Sequence, residues 1–341
     1  MKTLLTPMFC LFLLTSCQYN TEQKALLSKI ENSKSEIFEK KFKNVITEKF
    51  AKDDLAELSS NQNAKIAIYF FEILVKKYPT EAFHLFLKNI NNTEKIVIST
   101  SYDTLQEMTV SEAMLYYATL KNNVFSKKQL DVISDKIILD LDSKKHLSGF
   151  LTLYLDKNKD NPKPKYYSIL KTEIQKKIPD NYYNNITLLT YFSNYNKSED
   201  VKLITECLEN SINREPTYFN SAIEFINYSP KPEYFKVLKN YYNRKINGKK
   251  FRADDIFFEL ELFTKAISKY KNTEGKKLLD KLIKKTSYFS EGSFLAPNEQ
   301  IFLILENEDK TNFFSDEKIA LSKQINKAVI DTIKNYSKRW N

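Results

Sequence analysis

The chain has 341 residues, 42% of them hydrophobic and 28% charged, the balance of a folded body in water and not of a disordered chain. Only 4 glycines and 9 prolines occur, which leaves almost nothing from which to build phosphate-cradling glycine loops or a sheet of tight hairpins, so helices are the expected element. Lys and Arg exceed Asp and Glu by 10, and the surplus sits in the second half, where residues 151–341 hold 33 basic against 25 acidic side chains.

The chain opens "MKTLLTPMFCLFLLTSC": a lysine at position 2, an apolar run from Leu4 to Leu14, then Thr15 and Ser16 before Cys17. That is the layout of a signal peptide, with an apolar run shorter than the roughly 20 residues a membrane-spanning helix needs. "LTSC" resembles the lipobox of bacterial lipoproteins, Leu and two small residues before Cys. The resemblance implies removal of residues 1–16, acylation of Cys17 and anchoring in a lipid bilayer, with 17–20 as a short tether. Two or three acyl chains hold far more firmly than one. Gln18 follows Cys17, and by the same resemblance this favours the outer membrane; "QYNTEQK" lacks an acidic run, which favours the periplasmic side over the cell surface. Cys10, preceded by bulky Met8 and Phe9, leaves with the signal. Cys207 then has no intramolecular partner and reads as a buried, inert thiol.

Residues 21–61 read as N-terminal capping helices. From 62 the chain reads as helical hairpins, at 62–90, 109–141, 143–178, 181–213, 216–246 and 253–286, followed by a divergent closing pair within 287–341. Thr109 to Glu112 and Ser126 to Gln129 are capping boxes. "EKIVIST", from Glu94, interrupts the helical spacing and reads either as a short strand or as a helix out of phase.

"PKPKYYSILK" at Pro162 returns as "PKPEYFKVLK" at Pro230, and Leu203 and Ile204 fall midway, giving a period of 34 residues. Tyr166, Ile169, Leu170 and Ile174 make one apolar stripe on a helix, and the equivalent stripe places Ile169, Leu170, Leu203, Ile204, Val237 and Leu238 in the core. The preceding helix ends in tyrosine each time: Tyr195, Tyr228, Tyr270. In the turns, Pro232 suits a first helical turn and Thr273 a cap. A single hairpin cannot bury its own apolar face, so the pattern predicts an all-α chain of stacked hairpins, an alpha-solenoid. It resembles HEAT-repeat proteins most clearly over 181–286, and shares its 34-residue period with tetratricopeptide repeats, whose small residues at fixed places are mostly missing.

Residues suited to chemistry are sparse. His84 and His146 stand 62 positions apart with no partner motif, and no metal or other cofactor is expected. Acidic pairs stand at Asp53-Asp54, Asp254-Asp255 and Glu308-Asp309; two carboxylates could serve a glycosidase, but Asp254-Asp255 opens a helix, where dipole and capping explain it. The basic doublets Lys176-Lys177, Arg244-Lys245 and Lys284-Lys285 match the dipole of a last helical turn, and no nucleic-acid partner is expected. The 21 tyrosines and 24 phenylalanines often stand as neighbours. Adjacent helical residues point about 100° apart, so either one member of each doublet faces a partner, or both lie between stacked helices. On the first alternative, Tyr167 and Phe235, beside core Tyr166 and Tyr234, are the contact residues. The expected function is a non-enzymatic envelope lipoprotein that binds or scaffolds another protein; a glycan-binding lipoprotein of an uptake system is the alternative, and a helical envelope enzyme the third.

Overall fold

A computed structural model of the chain describes residues 19–32, 40–101, 104–141, 143–176, 182–212, 217–247, 257–286 and 296–325, with 328 and 331. The described residues are predominantly helical, with seventeen α-helices and one pair of strands. The chain divides into two compact units, 1–154 and 155–341.

In the first unit, α1 (Thr21–Glu31), α2 (Lys40–Lys49) and α3 (Lys52–Leu58) precede the pair α4 (Ala64–Lys77) and α5 (Pro79–Asn89). Strands β1 (Lys95–Ser101) and β2 (Thr104–Thr109) follow, then α6 (Val110–Tyr116), its π-helical continuation Tyr117–Lys121, α7 (Lys127–Ile138) and α8 (Ser148–Lys157), within which the unit boundary falls. α4, "AKIAIYFFEILVKK", carries apolar residues round its circumference from Ile66 to Val75, interrupted only by Glu72, and α1, α3, α5, α6 and β1 all pack on it. A helix with so wide an apolar surface has to be buried. It starts on Asn63, whose side chain accepts from the amides of Lys65 and Ile66. "EKIVIST" is a strand: Lys95 pairs with Thr109, Ile96 with Met108 and Ile98 with Gln106, antiparallel. The predominantly helical chain agrees with the all-α expectation apart from this one hairpin. Its run of three apolar residues, Ile96 to Ile98, has neither a helical nor a strand period, so pattern alone left it open.

The second unit holds α9 (Tyr167–Gln175), then the pairs α10 (Tyr182–Ser193) with α11 (Val201–Ile212), α12 (Thr217–Tyr228) with α13 (Phe235–Tyr241), α14 (Phe257–Ser268) with α15 (Thr273–Thr286), and α16 (Pro297–Glu308) with α17 (Ser315–Ser322). A π-helical turn, Tyr242–Asn247, extends α13. The 34-residue period has a direct structural counterpart: one-turn 3-10 helices begin at 164, 198 and 232 (Pro164–Tyr166, Ser198–Asp200, Pro232–Tyr234), each leading into a second helix. Their third amides reach back to equivalent carbonyls: Tyr166 to Lys163 and Tyr234 to Lys231 at 3.0 Å, Asp200 to Lys197 at 3.2 Å.

First helices pack on first helices (α10 on α12, α12 on α14, α14 on α16), and second on second (α11 on α13, α15 on α17). The recurring terminal tyrosines bridge these layers. The Tyr195 hydroxyl donates to the Lys163 carbonyl at 2.7 Å, and that of Tyr270 to the Lys231 carbonyl at 3.0 Å, each satisfying a turn one repeat back. Tyr228 reaches 68 residues back, donating to Asp160 at 2.7 Å. With glycine scarce, the tight turns use asparagine instead: Asn123, Asn196 and Asn312 adopt φ of 49°, 52° and 54°, the left-handed region that asparagine tolerates best among side-chain-bearing residues. The cap of α15 is Asn272, not Thr273: its Oδ1 accepts from the Gly275 amide at 2.9 Å.

Of the six predicted core residues, Leu170, Ile204, Val237 and Leu238 are buried, whereas Ile169 and Leu203 are half-buried. They lie one position before the buried member of each pair, toward the edge of the stripe. Tyr166 and Tyr234 are both fully buried. Asp200 occupies the corresponding place in the repeat between them, buried to 2% exposure, and is a carboxylate where its neighbours have a phenol.

Candidate functional site

β2 runs directly into α6. Thr109 caps that helix, its Oγ1 accepting from the Glu112 amide, while Glu112 Oε2 accepts from the Thr109 amide at 2.7 Å and hydroxyl at 2.8 Å. The hairpin is fixed to the helix by the Val110 amide on the Glu94 carbonyl at 2.8 Å and the Ser111 hydroxyl on the Asn92 carbonyl at 2.9 Å. One turn further, the Tyr116 hydroxyl donates to the Thr100 carbonyl at 3.0 Å and pins the far end of β1. Opposite residues of an antiparallel pair share a face. The face carrying buried Ile98 therefore also carries Gln106 and Met108.

Under that face lies a cleft of about 270 Å³. Thr100, Gln106 and Met108 line it from the hairpin; Glu112, Leu115, Tyr116 and Thr119 from α6 and its extension; Leu147, Phe150 and Leu153 from the α8 segment. The π-turn, a feature that clusters at functional sites, brings Leu120 to its rim, 59% exposed, opposite Leu153 at 43%. Gly149 also lines the cleft, and a Cβ built there meets no atom within 4 Å. Among the described lining residues, Glu112 is the only ionisable group apart from the tyrosine phenol, and none is a cation. Burial, with the Glu72 carboxylate a lesser cause, raises the Tyr116 phenol, so it stays a neutral donor.

The residues expected from sequence lie elsewhere. Cys17 and the signal layout fall outside the described residues, as do Asp254-Asp255. Phe235 is not a surface contact: it is 4% exposed, with its ring 5.0 Å from that of Tyr270 in the next repeat. A 100° turn away from one core face brings it against the neighbouring hairpin. Tyr167 is half-buried and fully engaged. Its ring stacks on Phe192 at 5.5 Å and meets Tyr195 edge-on, the Lys197 ammonium stands 3.4 Å over it, and its hydroxyl donates to Asp200 at 3.0 Å. Lys171 joins the same carboxylate at 2.6 Å; that hydrogen bond, and a second to Tyr167, raise its ammonium above the ordinary range. Tyr241 and Tyr242 are likewise both buried, so these doublets belong to an aromatic core.

The remaining candidates are structural. His146 Nε2 lies 3.1 Å from the Ile90 carbonyl, and His84 packs beside Phe83 at the surface. Asp54 accepts from the Ala51 amide, and Asp309 from the amides of Phe313 and Phe314. Burial pushes the Cys207 thiol up to about 11. Among the described residues no group of His, Cys, Asp and Glu is placed to hold a metal, and no helix is long and apolar enough to cross a membrane. In the second unit a shallow depression of about 350 Å³ is lined by Glu224, Asn227, Tyr228 and Leu262, with Lys265, Lys269 and Glu308 around it. Tyr228 is 41% exposed there, and Asn194 Nδ2 donates to its hydroxyl at 3.0 Å.

The first-unit cleft was missed by sequence reasoning. Its signals were the interruption at "EKIVIST" and one of only 4 glycines, at 149, in "HLSGFLTLYL". No protein family matches the chain, and no curated protein or solved structure is significantly similar to it.

Proposed function

We propose that the chain is a lipid-anchored protein of the bacterial envelope that binds or scaffolds another protein and performs no chemistry of its own. The anchor rests on "LTSC" and acylation of Cys17, with the outer membrane, periplasmic side, as the address. The observation that carries the binding role is the like-on-like packing of successive hairpins in the second unit, stapled by tyrosine hydroxyls at repeat spacing. Such packing supports the reading of this unit as an alpha-solenoid, in which each repeat stabilises its neighbours and their exposed faces join into one extended surface. Membrane extracts of cells expressing the full chain test both parts. Acylated Cys17 at the mature N-terminus, a Cys17→Ser variant left as uncleaved precursor, and a stoichiometric cross-linked protein partner are expected. An unmodified Cys17 peptide still joined to Ser16 overturns the anchor; an uncross-linked chain at every expression level overturns the scaffold.

A second reading, glycan binding, draws on Tyr228, a partly exposed aromatic beside the carboxamides of Asn194 and Asn227. Rings of this kind offer an apolar face with a polar tip. Its hydroxyl already serves Asp160 and Asn194, and Lys159 stands 5.2 Å over its ring, which makes it the weaker site. Titration with oligosaccharides against the wild type and Tyr228→Ala decides it: saturable binding lost in the variant is the glycan outcome.

A further inference from the structure

We infer that the cleft between the β-hairpin, α6 and α8 is the docking site for a short segment of a protein partner in which a large apolar side chain is flanked by lysine or arginine. The inference rests on the protein-binding reading above and deepens it. At about 270 Å³ the cleft falls just short of the roughly 300–1,000 Å³ that enclose a whole small ligand. It suits one or two side chains of something larger. Leu120 and Leu153 carry the apolar surface out past the mouth, where only a molecule extending beyond the cleft covers them.

The charge of the occupant follows from the lining. Among the described residues no Lys, Arg or His lines it, so a fatty-acid carboxylate or a phosphate headgroup finds no counter-charge there, and Glu112 repels it. The protein as a whole carries a net charge of +10, so a lone carboxylate at an apolar cleft selects by local charge against the general background. Glu112 is held in place by the two Thr109 hydrogen bonds to its Oε2, so it meets an incoming cation already oriented. Gln106 supplies a neutral polar group to the same lining for the backbone of the segment, and the Thr119 hydroxyl, which donates to the Leu115 carbonyl at 2.7 Å, keeps its accepting lone pairs.

Two substitutions separate the site from the fold. Gly149→Phe fills the cleft, and because a Cβ there meets nothing within 4 Å the variant keeps its thermal midpoint or raises it, helices gaining when glycine is replaced. Glu112→Gln removes the charge and keeps the capping box, which glutamine also completes. The probe is a random peptide library displayed on phage, selected on the full chain and followed by anisotropy titration of labelled synthetic peptides. Enriched peptides should pair Leu, Phe or Met with Lys or Arg. They should bind Gly149→Phe about tenfold or more weakly, and Glu112→Gln more weakly and with less dependence on salt. Peptides without a basic residue, or equal affinity for Gly149→Phe, overturn the proposal. So does saturable binding of laurate or dodecyl maltoside with no peptide enriched, which makes the cleft an acyl site. Failure of the envelope reading looks different: an unlipidated, unpartnered chain in cells, with peptide binding intact.

Discussion

Glu72 is the only carboxylate of α4, and it sits in the centre of the first unit with its side chain 4% exposed. Three ammonium groups converge on it: Lys43 of α2 at 2.6 Å, Lys121 of the π-turn at 3.3 Å and Lys76 at 3.6 Å. Burial pushes the Glu72 carboxyl up, but the cations, Lys43 foremost, outweigh it and hold it below its usual range. Lys43 is pulled down in turn, by its own burial and by Lys121 and Lys76, because three cations share one carboxylate. Glu72→Gln keeps the shape and removes the charge. Breaking a buried ion pair from one side costs about 3–5 kcal/mol, and the lower end applies here, since Lys76 and Lys121 are 49% and 37% exposed and turn to water. The loss is therefore about 3 kcal/mol at pH 7. A depressed carboxyl stabilises above its unfolded pKa of about 4.3 and loses that contribution as pH falls through the folded value. The gap between wild type and Glu72→Gln must then begin to narrow below about pH 4 and keep narrowing as pH falls through the folded value. Urea unfolding followed by circular dichroism, with hydrogen exchange resolved on α4 peptides, measures both. An unchanged midpoint at pH 7, or a gap no narrower at pH 3 than at pH 7, refutes the account of Glu72 as the charge that ties α2, α4 and the π-turn together.

Gly275→Ala, which in an ordinary helix interior gains about 1 kcal/mol, should instead destabilise strongly, because the new Cβ would stand 2.0 Å from the Tyr270 carbonyl oxygen; a raised thermal midpoint contradicts this. Phe235→Ala should cost about 3–5 kcal/mol as a core truncation, and a variant that unfolds like wild type in urea would return Phe235 to the surface. Tyr270→Phe removes the hydroxyl that serves the Lys231 carbonyl and should cost about 1 kcal/mol or somewhat more, read in the same urea titration. Alkaline titration should show a late, cooperative loss of structure. Burial raises the phenols of Tyr69, Tyr195, Tyr241 and Tyr270, so their contribution is whole below an unfolded pKa of about 10 and falls away as pH rises through the folded values. Tyrosinate absorbance appearing well before the loss of helix would count against it.

What was legible in the sequence is what repeats. Prolines, capping boxes and a 34-residue period marked the helix pairs because each is a local rule written in residue identity: Thr109 with Glu112, Ser126 with Gln129, Pro164 and Pro232 opening equivalent 3-10 turns. The terminal tyrosines were visible as a pattern, but their purpose was not, since a hydroxyl reaching the previous turn is a relation between repeats. Phe235 was misread for the same reason. On an isolated helix its direction is outward, and only the next hairpin, with Tyr270, makes that direction inward. The π-turns left no trace at all, because their bonding pattern changes without any residue type that demands it.

The cleft is assembled from departures. A strand pair stands where the helical spacing breaks off, the π-turn re-aims Leu120, and Gly149 leaves space where another residue would fill it. Each departure by itself weakens a local rule: a two-stranded sheet is marginal alone, a π-turn is strained relative to an α-helix, and a glycine in a helix costs about 1 kcal/mol against alanine. In the second unit the repeat rules are kept through most of the described residues, and the doublets Tyr234-Phe235 and Tyr241-Tyr242 go into the core. Sequences that specify one structure agree with themselves at every level except where a site requires otherwise. Three departures meeting in one apolar cleft, beside the one carboxylate that the described residues bring to its lining, are why we place the proposed partner site in the first unit.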